Sequence, residues 1–438
     1  MKMVRKPLFI LSVLLIIITI IPISAASNDI KIWKQFSGTN LTFIMNEHPY
    51  TEALQPLLPE FEKLTGIKVK FEVYPEAEFL KKKLLDVSSG IGQYDGGMMA
   101  DEMPAYVQGK FVEPLDKYFN NPKLIDKKWF DMEDVSLKGR QWLSLNNKLY
   151  GMPVTFEGVI MFYRKDLFTE NHVSVPQTYE ELLNAAKKLN NPPQRYGIVM
   201  RGSREPGQNV YPWASFFRSY GGEWFDKKGK VAFDNKKGVA ALDMYVKLLK
   251  NYGPPGAANY GWYEATSDFM QGKAAIFIDA SIFASMLEDP QKSTVSKKIG
   301  YAQIPAGPTG IRKTNLWYWS LAISSLSKHK EAAAQFIAWA SSKDICLKVA
   351  AASGGSARAS VWEQESFQKS ADLPKEWFKA SLDAMEVVDP DCQPKMKEWW
   401  EFQNYVGIAI SEAIAGSSTP EQALKSAAEK TQNLLKKK

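Results

Sequence analysis

The sequence predicts an α/β protein, and three observations in its 438 residues carry that prediction. Strand-like and helix-like stretches are interleaved rather than segregated, the pattern that covers a sheet with helices. The opening block reads strand, helix, strand. No internal repeat or low-complexity linker interrupts the alternation. Taken in order, residues 41–45 form a short apolar strand candidate, and residues 50–64 carry Leu54, Leu57, Leu58, Phe61 and Leu64 at helical spacing until Gly66. Ile67, Val69, Phe71 and Val73 then alternate with polar residues, as a half-buried strand does. That succession implies a parallel pair joined by a right-handed crossover. Thr178-Tyr179-Glu180-Glu181 is a capping box opening a helix through Leu189, and residues 235–252 form a helix ended by Gly253 and Pro254. Strands are expected at 274–278, 299–304 and 316–324. Helices are expected at 330–340, 395–415 and 419–436, the last with Pro420 at its first position.

At this length two or three domains are expected, with a core that needs no staples. Cys346 and Cys392 are the only cysteines and form no metal or redox motif; whether they pair is left open. Three histidines, His48, His172 and His329, give metal chemistry little to work with. The first 26 residues read as a cleaved export signal: Lys2, Arg5 and Lys6 precede an apolar run over 8–21, and Ser24-Ala25-Ala26 supplies small residues at the cut. No cysteine stands there for a lipid anchor. Cleavage leaves 52 Lys+Arg against 48 Asp+Glu, a charge of +4 instead of +7. Its short runs, such as Lys81-Lys82-Lys83, are scattered and read as solvated helix faces, which argues against a nucleic-acid partner.

Catalytic signatures are missing: the sequence has no G-x-S-x-G elbow, P-loop, H-E-x-x-H or G-x-G-x-x-G opening a helix. Acidic pairs such as Asp101 with Glu102, or Glu47 with Glu157, leave a glycosidase as a remote alternative. Aromatic residues stand out instead, at 12% with 13 Trp. Trp213, Trp224, Trp262 and the run Trp317-Tyr318-Trp319 sit near strand ends, where rings can stack on the C–H faces of a sugar or polyol while carboxylates and Arg bind its hydroxyls. Core packing is the competing reading for any single Trp, and Trp339, Trp399 and Trp400 are assigned to it. Ser353-Gly354-Gly355-Ser356 is a turn able to offer backbone N–H groups to an oxygen-rich ligand.

Several stretches together resemble the extracellular solute-binding proteins of sugar ATP-binding-cassette importers, the large maltose-binding-like family. They are Glu60 to Val69 (EFEKLTGIKV), Tyr94-Asp95-Gly96-Gly97-Met98-Met99, Gly109 to Leu115 (GKFVEPL), Leu149 to Pro153 (LYGMP), Met161 to Phe168 (MFYRKDLF) and Phe269 to Ile276 (FMQGKAAI). Glu47-His48-Pro49-Tyr50, Arg201-Gly202 and Phe217 to Asp226 look most like the polyol and monosaccharide binders. Tyr163-Arg164-Lys165-Asp166 departs from the family's usual Tyr-Asn-Lys-Asp, and the missing lipid-attachment Cys argues for a Gram-negative periplasm.

The resemblance implies a two-lobe periplasmic-binding-protein fold with a hinge. Residues 27–158 plus 280–325 would form one lobe and 159–279 plus 326–438 the other, crossing near 159–163, 278–280 and 325–330. It implies a sugar or polyol ligand held in the interlobe cleft, closure by hinge motion, delivery to importer permease subunits, no cofactor or metal, and a monomer. Expected ligand-binding residues are Glu47, His48 and Asp101 from the first lobe, then Glu157, Arg201, Trp213, Trp262, Asp279, Trp317 and Trp319, with Gly355 and Arg358 after the turn. Trp rings would stack, carboxylates accept hydroxyl protons, and Arg donate a fork of hydrogen bonds. A polyamine, peptide or metal-chelate receptor is the other alternative.

Overall fold

The computed structural model describes residues 32–370, 373–389 and 391–436, so the expected leader lies outside the described residues. Two sheets organise the chain. In the first, β1 (Asn40–Asn46) lies parallel to β2 (Lys68–Tyr74) and β3 (Gly96–Met99). The order is β2-β1-β3-β12-β6, with β12 (Ser320–Ile323) antiparallel both to β3 and to the edge strand β6 (Met152–Pro153). Ser144–Leu145 (β4) and Lys148–Leu149 (β5) form a separate small hairpin. The second sheet runs β10-β7-β9-β8, from Ile299–Gln303 (β10), Glu157–Arg164 (β7), Ala274–Ala280 (β9) and Tyr196–Val199 (β8). Leu316–Trp317 (β11) pairs with the start of β7.

The parallel opening block is as the alternation implied, since β1 pairs with β2 in register from Asn40–Lys68 to Asn46–Tyr74. The long helix expected over 50–64 is broken, because Pro56 and Pro59 cannot donate backbone N–H groups within it. It becomes Pro49–Leu54, a 3-10 turn at Gln55–Leu57, and Leu58–Thr65, closed by Gly66 at φ 76°. Thr178 caps the helix Tyr179–Leu189 as expected, its side chain accepting from Glu181 N.

Expected lobe boundaries differ from the observed ones. The first crossing is at residues 154–156, between β6 and β7, and β9 does not cross back, because β10 occupies the other edge of β7. The strand expected at 316–324 breaks at Tyr318-Trp319, so that β11 serves the second sheet and β12 the first. Helices Lys330–Ala340 and Lys343–Ser353 pack on the first lobe, against β12 and the helix Pro49–Leu54 respectively. The chain returns between the helices Glu365–Ser370 and Lys375–Val387, the latter packing on β10 and β7. Helices Trp399–Ala415 and Pro420–Lys436 then pair and cover the helix Lys236–Tyr252 of the second lobe. Cys346 and Cys392 are both buried, unpaired thiols. Among the described residues no helix is long and apolar enough to cross a membrane.

Candidate functional site

Between the lobes lies a small cavity lined by Asn46, His48, Glu76, Glu157, Arg201, Gly207, Tyr211, Trp262, Phe283, Trp317 and Trp319. Asn46 ends β1, His48 follows it, and Glu76 opens the helix after β2. This end of the first sheet is the carboxyl end of its parallel strands, where open α/β sheets present their ligand crevice. Opposite stand groups of the second lobe and the crossing segment.

His48 caps the helix Pro49–Leu54, its Nδ1 accepting from Tyr50 N at 3.2 Å. Its Nε2 lies 3.2 Å from Glu157 Oε1. Thr155 Oγ1 donates to the same oxygen at 3.1 Å. Glu76 Oε2 accepts from Trp262 Nε1 at 2.8 Å and Gln208 Nε2 at 3.0 Å, both from the other lobe. Burial pushes the Glu76 carboxyl above its ordinary range, although the Arg201 charge and these two donors oppose the shift. The Tyr263 hydroxyl reaches the Glu47 carbonyl at 3.2 Å, so the lobes touch in a closed arrangement.

Arg201 is fixed on several sides. Its Nε donates to Asp279 Oδ2 at 2.8 Å, its Nη2 to Asp279 Oδ1 at 2.5 Å and its Nη1 to the Gly207 carbonyl at 2.8 Å. Its guanidinium carbon lies 4.8 Å from the Tyr211 ring centroid. Burial disfavours the guanidinium charge, but Asp279 outweighs it and holds Arg201 above its ordinary value. Trp262 stacks on Phe283 at 5.1 Å and 15°, and Trp317 meets Trp319 edge-on at 5.6 Å. Tyr318, between them, points to the other face and bonds Ser136 Oγ at 2.6 Å. Gly207 sits at φ +75°, and a Cβ there would stand 3.2 Å from Glu76 Oε1. Asn46 Oδ1 is buried with no hydrogen-bond partner among the described residues, an acceptor on the cavity wall.

Of the expected site residues, His48, Glu157, Arg201, Trp262, Trp317 and Trp319 meet at this cavity, and Asp279 stands directly behind Arg201. Five others do not line it. Glu47 is exposed, and it meets the other lobe through its backbone carbonyl. Asp101 turns to Trp399 and Gln403. Trp213 is fully buried, stacked on Phe217 at 5.0 Å in the core of the second lobe. Gly354 caps a helix at φ 82°, and Gly355 lies beside Ile282 and the Phe156 carbonyl. Arg358 is 1% exposed and is consumed by the carbonyls of Ser341, Asp131 and Phe130 and the carboxylate of Asp134. Lys83, read as solvated, is buried and paired with Glu102. Asn46, Glu76, Gly207, Tyr211 and Phe283 were missed. The signal for the first two was present, since both stand at the carboxyl ends of adjacent parallel strands. Among the described residues no group of three or more His, Cys, Asp or Glu could hold a metal ion.

Comparison with known proteins agrees with this architecture. A profile described as bacterial extracellular solute-binding protein matches residues 47–345. The chain belongs to that family. A mannitol-binding protein of Pseudomonas aeruginosa is 32% identical over 325 residues, covering 70% of this chain and 74% of the relative. Two crystal structures of transporter solute-binding proteins superpose closely. One from Agrobacterium radiobacter, in complex with ribitol, has a TM-score of 0.83 at 28% identity and covers 91% of this chain and 99% of that one. Another, from Agrobacterium vitis with bound D-mannitol, has a TM-score of 0.81 at 32% identity over the same shares. The fold is thus the two-lobe, maltose-binding-like one.

Proposed function

We propose that this protein captures a linear sugar alcohol in the interlobe cavity and delivers it to the permease subunits of an ATP-binding-cassette importer. One observation carries the reading. Both lobes bring buried hydrogen-bonding groups, Asn46 and Glu76 from one and Glu157 and Arg201 from the other, to a cavity walled by Trp262, Trp317 and Trp319. A flexible chain bearing a hydroxyl on every carbon can satisfy donors and acceptors at such density while its C–H edges lie on the rings. The relatives that bind mannitol and ribitol support the same class. The protein binds without turnover, acts as a monomer, and works in the periplasm after loss of residues 1–26.

Residues 27–438, melted with D-mannitol, ribitol, erythritol, D-glucose, maltose, spermidine and a tripeptide, test this. At a hundredfold excess over Kd a true ligand adds about 2.7 kcal/mol of stability, a shift of several degrees. Stabilisation by the sugar alcohols is expected. Stabilisation by spermidine or the peptide alone would overturn the assignment, and recovery of a chemically altered polyol would overturn the absence of turnover.

A further inference from the structure

Asp101 stands at the carboxyl end of the first sheet, just past β3, yet it does not line the cavity. Its Oδ2 accepts from Trp399 Nε1 at 3.0 Å and from Gln403 Nε2 at 2.7 Å, both on the helix Trp399–Ala415 of the other lobe. The three residues are 7%, 1% and 2% exposed, so water is excluded from the contact. Gln403 is committed on its other side as well, because its Oε1 accepts from Gly207 N at 2.8 Å. The Gly207 carbonyl in turn accepts from Arg201 Nη1 at 2.8 Å. An unbroken series of hydrogen bonds therefore runs from a first-lobe carboxylate, through a second-lobe amide, to the arginine on the cavity wall.

We propose that Asp101 is a positioning residue: with Trp399 and Gln403 it latches the closed lobes outside the cavity and sets the Gly207–Arg201 wall through the Gln403 amide. The inference rests on the solute-capture reading, because only a protein that opens and closes has use for such a latch. Opening separates Asp101 from both donors and frees Gln403, so the amide loses its fixed orientation when the lobes part.

The electrostatics give the latch a readable sign. The charged groups facing Asp101 are Glu102 in the same turn, Glu76 and Lys83 from the helix Glu76–Ser89, and Lys395 across the interface beside Trp399. Lys83 is engaged with Glu102 and donates to the Met98 carbonyl at 2.8 Å. Burial, and then the Glu102 charge, push the Asp101 carboxyl up to about 7, despite the hydrogen bonds from Gln403 and Trp399. Opening exposes Asp101 to water and returns it toward its ordinary acidic range. A carboxyl whose value is higher in the closed form takes up a proton on closure, so its support for closure is complete in acid and is lost as pH rises through about 7. For one proton this linkage weakens closure about tenfold between about pH 6 and about pH 8.

The test is calorimetric titration with D-mannitol and ribitol at three pH values spanning neutrality, with small-angle scattering of ligand-free and polyol-saturated protein at the same pH values. Wild type should bind about tenfold more weakly at the alkaline end. Asp101→Asn, which keeps the acceptor but cannot ionise, should be nearly flat. Gln403→Glu places a second acid on the latch and should open the protein in alkali and restore closure in acid, a reversal that a misfolded variant cannot show. Equal profiles in wild type and Asp101→Asn, flat or sloped, in both titration and scattering would overturn the latch. If wild type binds neither polyol at any pH, the ligand assignment fails, and the scattering comparison still decides the latch.

Discussion

The pair Arg201–Asp279 offers the sharpest perturbation. Asp279 is fully buried and Arg201 is 6% exposed, with fork contacts of 2.5 and 2.8 Å between them. Asp279→Leu removes the paired carboxylate and leaves a guanidinium in the cavity wall with the Gly207 carbonyl, the Tyr211 and Phe283 rings and the electrostatic influence of Glu76 as its surroundings. Breaking a buried pair by removing one partner costs about 3–5 kcal/mol, chiefly because the remaining charge stays desolvated. Removing both, as Arg201→Met with Asp279→Leu, deletes that uncompensated charge and should recover most of the loss. Urea unfolding of the two single variants and the double variant gives the coupling directly, and about 2 kcal/mol or more of non-additivity is expected. Polyol affinity separates from stability here. The double variant should fold and still lose binding, because the guanidinium N–H groups that the proposed function assigns to the ligand are gone from the cavity wall. Additive costs within about 0.5 kcal/mol, or wild-type affinity in the folded double variant, would refute the view that Asp279 serves the site by holding Arg201.

Trp319→Ala should weaken polyol affinity more than tenfold with a small stability cost, whereas Trp213→Ala should cost about 3–5 kcal/mol in urea unfolding and leave the affinity of the folded fraction within about twofold. Arg358→Ala strips a buried guanidinium from Asp134 and three carbonyls. A loss of about 3–5 kcal/mol is expected in denaturation, with Kd unchanged. Gly207→Ala forces a Cβ onto a backbone at φ +75°, a cost of about 1–2 kcal/mol, and crowds Glu76. It should weaken polyol binding while circular dichroism stays that of wild type.

Much of the fold was legible because the sequence marks it locally. The alternation of Ile67, Val69, Phe71 and Val73, the Thr178 cap and the Pro420 start each correspond to an observed element. The lobe boundaries were not, since which strand fills the edge of β7 is settled by long-range pairing between Ile299–Gln303 and Ile160 to Arg164, for which the local pattern carries no sign. At the cavity, six of the twelve expected residues stand together. Trp317 and Trp319 were recoverable because alternation in an extended segment puts both on one side and Tyr318 on the other. Trp213, Asp101 and Arg358 were misplaced for one reason: a large aromatic or a charged side chain is read as functional until its partners are known. Here Phe217, Gln403 and Asp134 are those partners, 4, 302 and 224 residues away.

On the proposed reading, the closed cleft gives a hydroxyl-rich solute an advantage over an apolar one of similar shape. Glu76 already holds two donors from the opposite lobe, Thr155 already donates to Glu157, and Arg201 is tied to Asp279 and Gly207. The ligand therefore enters a wall whose polar groups are oriented in advance, which lowers the entropy lost on binding. Any contact it displaces must be replaced, or a desolvated donor or acceptor is left at a cost of about 1–3 kcal/mol. Asn46 Oδ1, without a partner among the described residues, is an acceptor for which a ligand hydroxyl is the fitting complement. Selectivity then follows less from the strength of any one bond than from the penalty for omitting one. Because groups of both lobes must be satisfied together, the same penalty favours ligand binding with the lobes closed over the solute.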